Sequence, residues 1–478
     1  MPNEYPVGSF TDAAPARASE LFLADLESEG LIFSVDVQSR AEHGRDWWPL
    51  TIAEVAKGRV PCWPGVVVNA TSTDDVRRLL VLASRHRLPV TAQGGRSGVV
   101  GGAVAPQGGV ALDLTSLNQI LQIDVVSGTV RAQAGLFGPD LERGVQDSGW
   151  TVGHLPQSFE LSTVGGWIAC RGAGQYSNRY GKIEDIVRAL TVVLANGDVI
   201  ELGGHGPRQA VGPDLLQLFI GSEGTLGVIT EATLAMHPVP PTQRRAAYSF
   251  ATFDQGLDAC RRILQRDAHP AVLRLYDETE STRTFGVSAC ALIVLDEGDS
   301  FLVDATMRVV AEECATANAL DESLVEQWLQ HRNDVGTLSP LWERGYVVDT
   351  IEVAGPWSIL SDMRSRVVTS LSALPDLSVV SVHQSHAYID GACLYFTFAG
   401  KPERDAVRFY RDAWDLATGA VLDSGGALSH HHGVGRNRAR FVQRALASAF
   451  PLWAALKQQL DPLNIMNPGV LGVGAEPW

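Results

Sequence analysis

The sequence contains no run of about 18 apolar residues, the length a helix needs to cross a bilayer, so no transmembrane segment is expected. It also lacks any Cys-x-x-Cys pair. Its six cysteines, at 62, 170, 260, 290, 314 and 393, are scattered. That spacing argues against a zinc or iron–sulfur cluster and for a reducing, cytoplasmic setting. Basic residues are in deficit, with 38 Lys and Arg against 54 Asp and Glu and a net charge of −16. This balance argues against nucleic-acid or anionic-membrane partners, yet leaves room for a local basic pocket that takes an anionic small molecule. The first twenty residues have no basic segment followed by an apolar run, so they do not read as a signal peptide. Residues 1–17 read as a mobile arm.

Glycine, at 47 residues, is plentiful, and it is concentrated in three stretches. The central one runs from 156 to 185, PQSFELSTVGGWIACRGAGQYSNRYGKIED. It has no helical apolar period and reads either as a long surface loop or as a ligand-lining segment. Small side chains let a backbone approach a planar or phosphorylated ligand closely. The second stretch, GGRSGVVGG, starts at Gly94 after a predicted strand. It does not lead into a helical period, so a Rossmann dinucleotide site is disfavoured. The N–H groups of Gly94, Gly95, Arg96, Ser97 and Gly98 suit an anion nest, with an ordinary turn as the alternative. The third stretch, GSEGTLGVIT, spans 221–230.

At 478 residues the chain is long enough for two or three domains. Residues 18–30 have helical spacing, with Phe22, Leu23 and Leu26 on one face. Trp47 and Trp48 before Pro49 read as a packing anchor. From residue 60 to about 240, strands alternate with a helix capped at Ser72 or Thr73 and with a hairpin at Asn196-Gly197. From about Thr242 glycine thins out and an α+β pattern resumes, as expected of a cap over the first domain. The expected division is 1–58 for an N-terminal arm and helical segment, 59–240 for a cofactor domain, 241–425 for a substrate cap, and 426–478 for a returning C-terminal segment.

His430, His431 and His432, between Ser429 and Gly433, are the sharpest chemical signal. Adjacent imidazoles titrate near neutrality and can move protons, and glycine lets the backbone turn them toward one site. A metal-scavenging tract is the alternative. Arg274 in AVLRLYD reads as an anion-binding guanidinium or as a surface ion pair. Arg208, Lys182 and Arg436 are weaker candidates for an anion site.

Taken in order, GGRSG, STVGGW, GSEGTLGVIT, SHHHGVG and DPLNIMNPG resemble the vanillyl-alcohol oxidase superfamily of flavoproteins. The resemblance covers roughly residues 45–472 and is greatest to the alkyldihydroxyacetonephosphate synthases. It implies an α+β protein: a two-subdomain PCMH-type FAD-binding domain with a ferredoxin-like cap of the FAD-linked oxidase type. It implies FAD with its pyrophosphate on Gly94 to Gly98. Pro156, Ser158, Ser162, Thr163, Gly165, Gly166 and Ala173 would line the cofactor. Glu223, Gly224, Thr225, Gly227, Val228 and Ile229 would complete the pocket. Some relatives bind FAD covalently through a histidine in the first loop. Ser97 stands there in this sequence, which implies non-covalent FAD.

The same resemblance assigns Tyr395, as an acid/base partner of the run and otherwise a strand tyrosine in the core, and His430 to His432 to catalysis, and Arg274 and His386 to substrate binding. Relatives that oxidise 2-hydroxy acids carry a metal-binding HxGDGxxH-type segment. Here Tyr395 stands near its second histidine, so no metal is expected. The implied reaction exchanges the acyl group of an acyl-dihydroxyacetone phosphate for a fatty alcohol through an adduct at flavin N5. The alternative is oxidation of a 2-hydroxy acid or alcohol by hydride transfer to N5. A homodimer is left open.

Overall fold

The computed structural model describes residues 17–474, without the side chains of 337–339. The expected N-terminal arm therefore lies outside the described residues except for Arg17. Helix Glu20–Ser28 follows, capped by the Ser19 hydroxyl on the Phe22 N–H. It buries Phe22, Leu23 and Leu26, as their spacing requires.

Two sheets build the first domain. One orders strands Ile32–Ser34, Val66–Asn69, Val110–Asp113 and Val90–Gln93 side by side. The last three of these are parallel, and helix Thr73–His86 is the crossover between two of them. That helix starts in a capping box, with Ser72 and Asp75 each accepting from the other's main chain. The second sheet is antiparallel, in the order Ile120–Asp124, Thr129–Gln133, Val228–Ala235, Val187–Val193, Val199–Gly203. The last two strands are the expected hairpin, with Gly197 at φ 89° in its turn.

The cap is α+β. Its seven strands run Asn318–Leu320, Thr242–Phe250, Cys290–Gly298, Val272–Tyr276, Leu377–Ala387, Gly391–Gly400 and Val347–Pro356 in spatial order, every pair antiparallel. Long helices, among them Phe253–Gln265, Trp357–Ser372 and Ala406–Asp423, carry apolar faces into the cap core. Trp48 joins that core, and its indole N–H donates to the Tyr410 hydroxyl at 3.0 Å. The N-terminal segment thus anchors the cap as well as the first domain.

The structure departs from the sequence pattern in two places. The 156–185 stretch is broken into short helical turns, including Val164–Ala169 and Ser177–Tyr180. Tertiary contact rather than periodicity holds the first of these: a Cβ on Gly165 would meet the Ala134 Cβ at 2.7 Å, so glycine lets helix and sheet touch. The region from 439 to 460, which reads as one helix, is interrupted at Ala447, where φ is 46°. A new helix, Phe450–Leu460, starts there with Pro451 in its first turn, where a missing N–H costs nothing.

Candidate functional site

Three loops of the first domain converge. The Gly94–Gly98 turn leaves the end of strand Val90–Gln93. Gly94 lies against Thr163, whose Oγ1 an added Cβ would meet at 2.2 Å, and Gly95 lies against the Leu161 carbonyl. Arg96 holds φ at 53° and turns the loop. Among the described residues, no main-chain N–H from 94 to 98 donates to another protein group. The Thr163 Oγ1 is buried without a partner, and so are both ring nitrogens of His154. Burial pushes His154 down to about 3, so its imidazole is neutral. Space beside Gly98 is open, since an added Cβ meets nothing within 4 Å. Five consecutive free N–H donors suit a pyrophosphate, and the unpartnered Thr163 and His154 supply further polar contacts. The donor set fits FAD. His154 was not legible in the sequence; its only signal there is its place directly before the glycine-rich stretch.

The other expected cofactor residues are divided by the structure. Pro156 and Ser158 lead into the turn Phe159–Leu161, their carbonyls accepting from the N–H groups of Phe159 and Leu161, and the Ser162 hydroxyl accepts from the Trp167 indole at 2.6 Å. Gly166 lies beside Thr163, and Ala173 is buried. Gly227, Val228 and Ile229 pack along strand Val187–Val193. Thr225 donates to the Ser222 carbonyl. The Glu223–Gly224 turn has φ of 49° and 73°. The Glu223 carboxylate accepts from the N–H groups of Val434 (2.6 Å) and Gly435 (2.7 Å), so it is spent on the histidine loop. Arg436 is buried on the carbonyls of Val104 and Pro468 and on Asn467, which commits it to clamping chain segments.

The histidine run sits between both domains. Its anchor is Glu352, on strand Val347–Pro356 and fully buried. Its carboxylate accepts from the main-chain N–H groups of His430, His431 (3.2 Å) and His432 (3.0 Å) and from the Ser429 hydroxyl (2.8 Å). Arg438, equally buried, pairs with it at 2.9 Å. The Arg438 guanidinium and the histidines hold Glu352 ionised, well below the usual carboxylate range and against the opposing effect of burial. Sequence reading missed Glu352 because it is one acidic residue in an unremarkable strand, 78 residues from the nearest histidine of the run.

The side chains then face inward. Thr350 donates to the Tyr395 hydroxyl at 3.3 Å. That leaves the Tyr395 proton for His432 Nε2, 3.1 Å away, and puts the ring proton of His432 on Nδ1, toward Glu352 at 3.8 Å. His430 Nδ1 meets His431 Nδ1 at 2.9 Å, and His430 Nε2 meets the Tyr388 hydroxyl at 2.6 Å. His386 stacks on His430 with centroids 4.9 Å apart, and its Nδ1 meets the Ser177 hydroxyl at 2.8 Å. Burial pushes His430 and His431 down to about 3 and His432 to about 4. All three are neutral at physiological pH. Burial raises Tyr395 and Tyr388, so both remain protonated donors.

Arg274 approaches the same face from strand Val272–Tyr276. Its Nη2 donates to His383 Nε2 at 2.8 Å, which puts the His383 proton on Nδ1, donated to Glu280 at 3.0 Å. Its Nε donates to the Tyr276 hydroxyl at 3.1 Å, and the Trp328 ring lies 5.5 Å from its guanidinium carbon. Among the described residues no carboxylate forms an ion pair with Arg274. The His383 ring also stacks on Tyr395, with centroids 4.7 Å apart. Arg274 and Tyr395, each expected at the site, are therefore joined through His383, a histidine that the sequence did not single out.

The flavin frame and the histidine run thus meet where an FAD binding domain and an FAD-linked oxidase C-terminal domain would join. Residues 64–203 match the FAD binding domain family, and residues 239–471 match the C-terminal domain of FAD linked oxidases. The chain is 32% identical over 431 residues to an uncharacterized FAD-linked oxidoreductase, YgcU, of Escherichia coli strain K12, covering 85% of this chain and 89% of that one. The chain belongs to the FAD-linked oxidases. This FAD-linked oxidase is also 30% identical to the alkyldihydroxyacetonephosphate synthase of Dictyostelium discoideum, over 87% of its own length and 74% of the synthase. A solved structure of an alkyldihydroxyacetonephosphate synthase superposes with a TM-score of 0.81 at 25% identity, covering 97% of this chain and 88% of that one. The fold is the two-subdomain FAD domain with a cap that characterises the vanillyl-alcohol oxidase superfamily, and the cofactor is FAD.

Two predictions arise here. Ser97 offers no imidazole to bond the flavin, so acid or heat precipitation is expected to release all FAD to the supernatant. Flavin absorbance remaining in the washed pellet would refute this. The second concerns metal. The ligand atoms of His386, His430 and His431 lie within 4.8 Å of one another, and so do those of Glu352, Cys393 and His431. His430 already engages both of its ring nitrogens, with His431 and with Tyr388. Turnover is expected to survive exhaustive chelation. Stoichiometric zinc or manganese by elemental analysis, with loss of activity on its removal, would establish a metal centre instead.

Proposed function

We propose that this FAD-linked oxidase catalyses a net non-redox exchange like that of alkyldihydroxyacetonephosphate synthase. The C1–O bond to the acyl group of an acyl-dihydroxyacetone phosphate breaks, releasing a carboxylate. A new C1–O bond to a fatty alcohol forms. When bound, the flavin ring supplies the electron-accepting centre beside C1. The observation that carries this reading is the run of three neutral imidazoles in contact with two protonated phenols.

His431 Nε2, which takes no hydrogen bond from the described residues, is the base that takes the C1 proton and returns one to C1 after the alcohol has added. Tyr395, aligned by Thr350, turns its hydroxyl from His432 to protonate the departing oxygen and regains a proton from the hydroxyl of the incoming alcohol. Arg274, with no carboxylate partner, receives the phosphate, and Tyr276 and His383 hold its planar fork in place. Arg274→Lys is expected to raise KM for the phosphorylated substrate at least tenfold with a smaller change in kcat, because lysine keeps the charge and loses the fork. Equal loss in both constants would move Arg274 from binding to chemistry.

A second reading is dehydrogenation of a 2-hydroxy acid or alcohol, which the 32% identity to an FAD-linked oxidoreductase supports. The same groups would take the hydroxyl proton. Anaerobic mixing separates the two. Ether formation from acyl-dihydroxyacetone phosphate and hexadecanol, without an electron acceptor, supports the exchange. Bleaching of the flavin by a 2-hydroxy acid or alcohol, with no ether formed, overturns it.

A further inference from the structure

His386 and Ser177 have no part in the steps above, yet both lie buried inside the cluster. Ser177 opens the short helix Ser177–Tyr180, in the glycine-rich stretch of the first domain, and its hydroxyl meets His386 Nδ1 at 2.8 Å. The same hydroxyl is a hydrogen-bond partner of the Tyr388 hydroxyl, which stands at the turn between strands Leu377–Ala387 and Gly391–Gly400. Tyr388 meets His430 Nε2 at 2.6 Å, and His430 Nδ1 meets His431 Nδ1 at 2.9 Å. Five groups are therefore bonded in one row: His386, Ser177, Tyr388, His430, His431. The row turns back on itself, so that its two end rings meet edge to face with centroids 4.9 Å apart. Each end leaves one ring nitrogen over, Nε2 of His386 and Nε2 of His431. Neither takes a hydrogen bond from the described residues, and neither is sealed from open space as the two nitrogens of His154 are. A neutral imidazole carries one N–H, and a hydroxyl donates one hydrogen while it accepts another. With every bond made, the hydrogens of the row all point the same way. When His431 Nε2 presents a lone pair, His386 Nε2 therefore presents a proton.

We propose that His386 is the catalytic acid opposite the base His431, joined to it through Ser177, Tyr388 and His430. This deepens the exchange reading and rests on it, because C1 of an acyl-dihydroxyacetone phosphate lies next to the C2 carbonyl. The C1–H bond breaks and its proton binds His431 Nε2. Its electron pair forms the C1–C2 double bond, and a carbonyl pair moves to the C2 oxygen. Meanwhile the Nδ1 proton of His431 passes to His430 Nδ1, and the Nε2 proton of His430 passes to the Tyr388 oxygen. The Tyr388 hydrogen passes to Ser177, the Ser177 hydrogen to His386 Nδ1, and the Nε2 proton of His386 to the C2 oxygen. A neutral enol results, and each imidazole ends neutral in its other tautomer. Running the row backward returns a proton to C1. Burial lowers His386 as it lowers His430 and His431, so none of the three readily holds a second proton. A lone base here would become a buried cation beside an enolate, whereas a row that gives up one proton as it takes another forms neither. Ser177, Tyr388 and His430 are relay residues; His386 and His431 meet the substrate.

The test uses the holoenzyme and Ser177→Ala, which cuts the row and leaves every ring in place. FAD content, melting temperature and KM are expected to match wild type. Turnover is expected to fall roughly 10- to 100-fold, and in His386→Gln roughly 100-fold or more, since an amide donates a hydrogen bond but passes no proton on. Joining Ser177→Ala to Tyr388→Phe is expected to cost no more than the larger single loss, because one cut already opens the row. Turnover of Ser177→Ala within about twofold of wild type overturns the proposal. So do Ser177→Ala and Tyr388→Phe losses that multiply, and so does His386→Gln if it raises KM and keeps kcat, the mark of a group that only binds. A second measurement needs no substrate. In ¹⁵N-histidine spectra, Ser177→Ala is expected to shift the tautomer signals of His430 and His431, neither of them bonded to Ser177, and to leave in place those of His432, which pairs with Tyr395 outside the row. Unchanged His430 and His431 signals sink the row whatever the reaction is. Shifted signals in a protein that forms no ether uphold the row and sink the exchange reading instead.

Discussion

His431→Ala, His432→Ala and Tyr395→Phe are each expected to lower turnover by roughly two to four orders of magnitude, the contribution of a positioned acid or base, while FAD stays bound. The separation of the two effects comes from location. The free N–H groups that suit the pyrophosphate belong to residues 94–98, and the unpartnered Thr163 and His154 lie in the first domain. The histidine loop is held by Glu352 and Glu223 and closes from the opposite end of the chain. Combining His432→Ala with Tyr395→Phe should cost far less than the product of the single losses, since each is the other's hydrogen-bond partner. Steady-state kinetics with flavin absorbance on every variant check this. Wild-type turnover, or loss that only tracks loss of FAD, would remove these residues from the chemistry. The same groups fix the sign of the pH dependence. Burial lowers them to about 3 and about 4, so the base form persists as pH falls and their protonation should not limit kcat until well below pH 6.5, the ordinary histidine value.

Glu352→Gln is expected to cost on the order of 3–5 kcal/mol of stability, as when one member of a buried ion pair is removed. Arg438 would be left charged and fully buried. The new amide would also turn an NH₂ group toward two of the four donors that now point at carboxylate oxygens, either Ser429 and His432 or His430 and His431. Turnover should fall with it, because the three rings are aimed by their main chain. Thermal unfolding of holoenzyme beside kcat is the measurement. A melting point within about 2 °C of wild type, less than a 1 kcal/mol change shifts a domain of ordinary size, would show that the loop is held by other means. Arg438→Met with Glu352→Gln removes both charges and should recover part of the stability but not the turnover.

What could be read from the sequence was what is local. A helix cap at Ser72, a hairpin at Asn196-Gly197 and the glycine turns state their backbone needs within a few residues. So the cofactor frame and the histidine run were legible, with Tyr395 and Arg274 entering by resemblance. Strands Val347–Pro356 and Leu377–Ala387 were not legible, because a strand's period of two says nothing about which neighbour it pairs with. Those two strands carry Glu352 and His383. Glu223 was legible as a residue of the pocket, but its partners, the Val434 and Gly435 amides, lie 211 and 212 residues on. Protonation was beyond the sequence altogether: three adjacent histidines suggest titration near neutrality, and the fold makes them neutral bases instead. Chain order fixes which groups are present and what turns they can make. The charge each group carries, and which proton it can pass, depend on the desolvated neighbours that only the packed tertiary structure brings within about 3 Å.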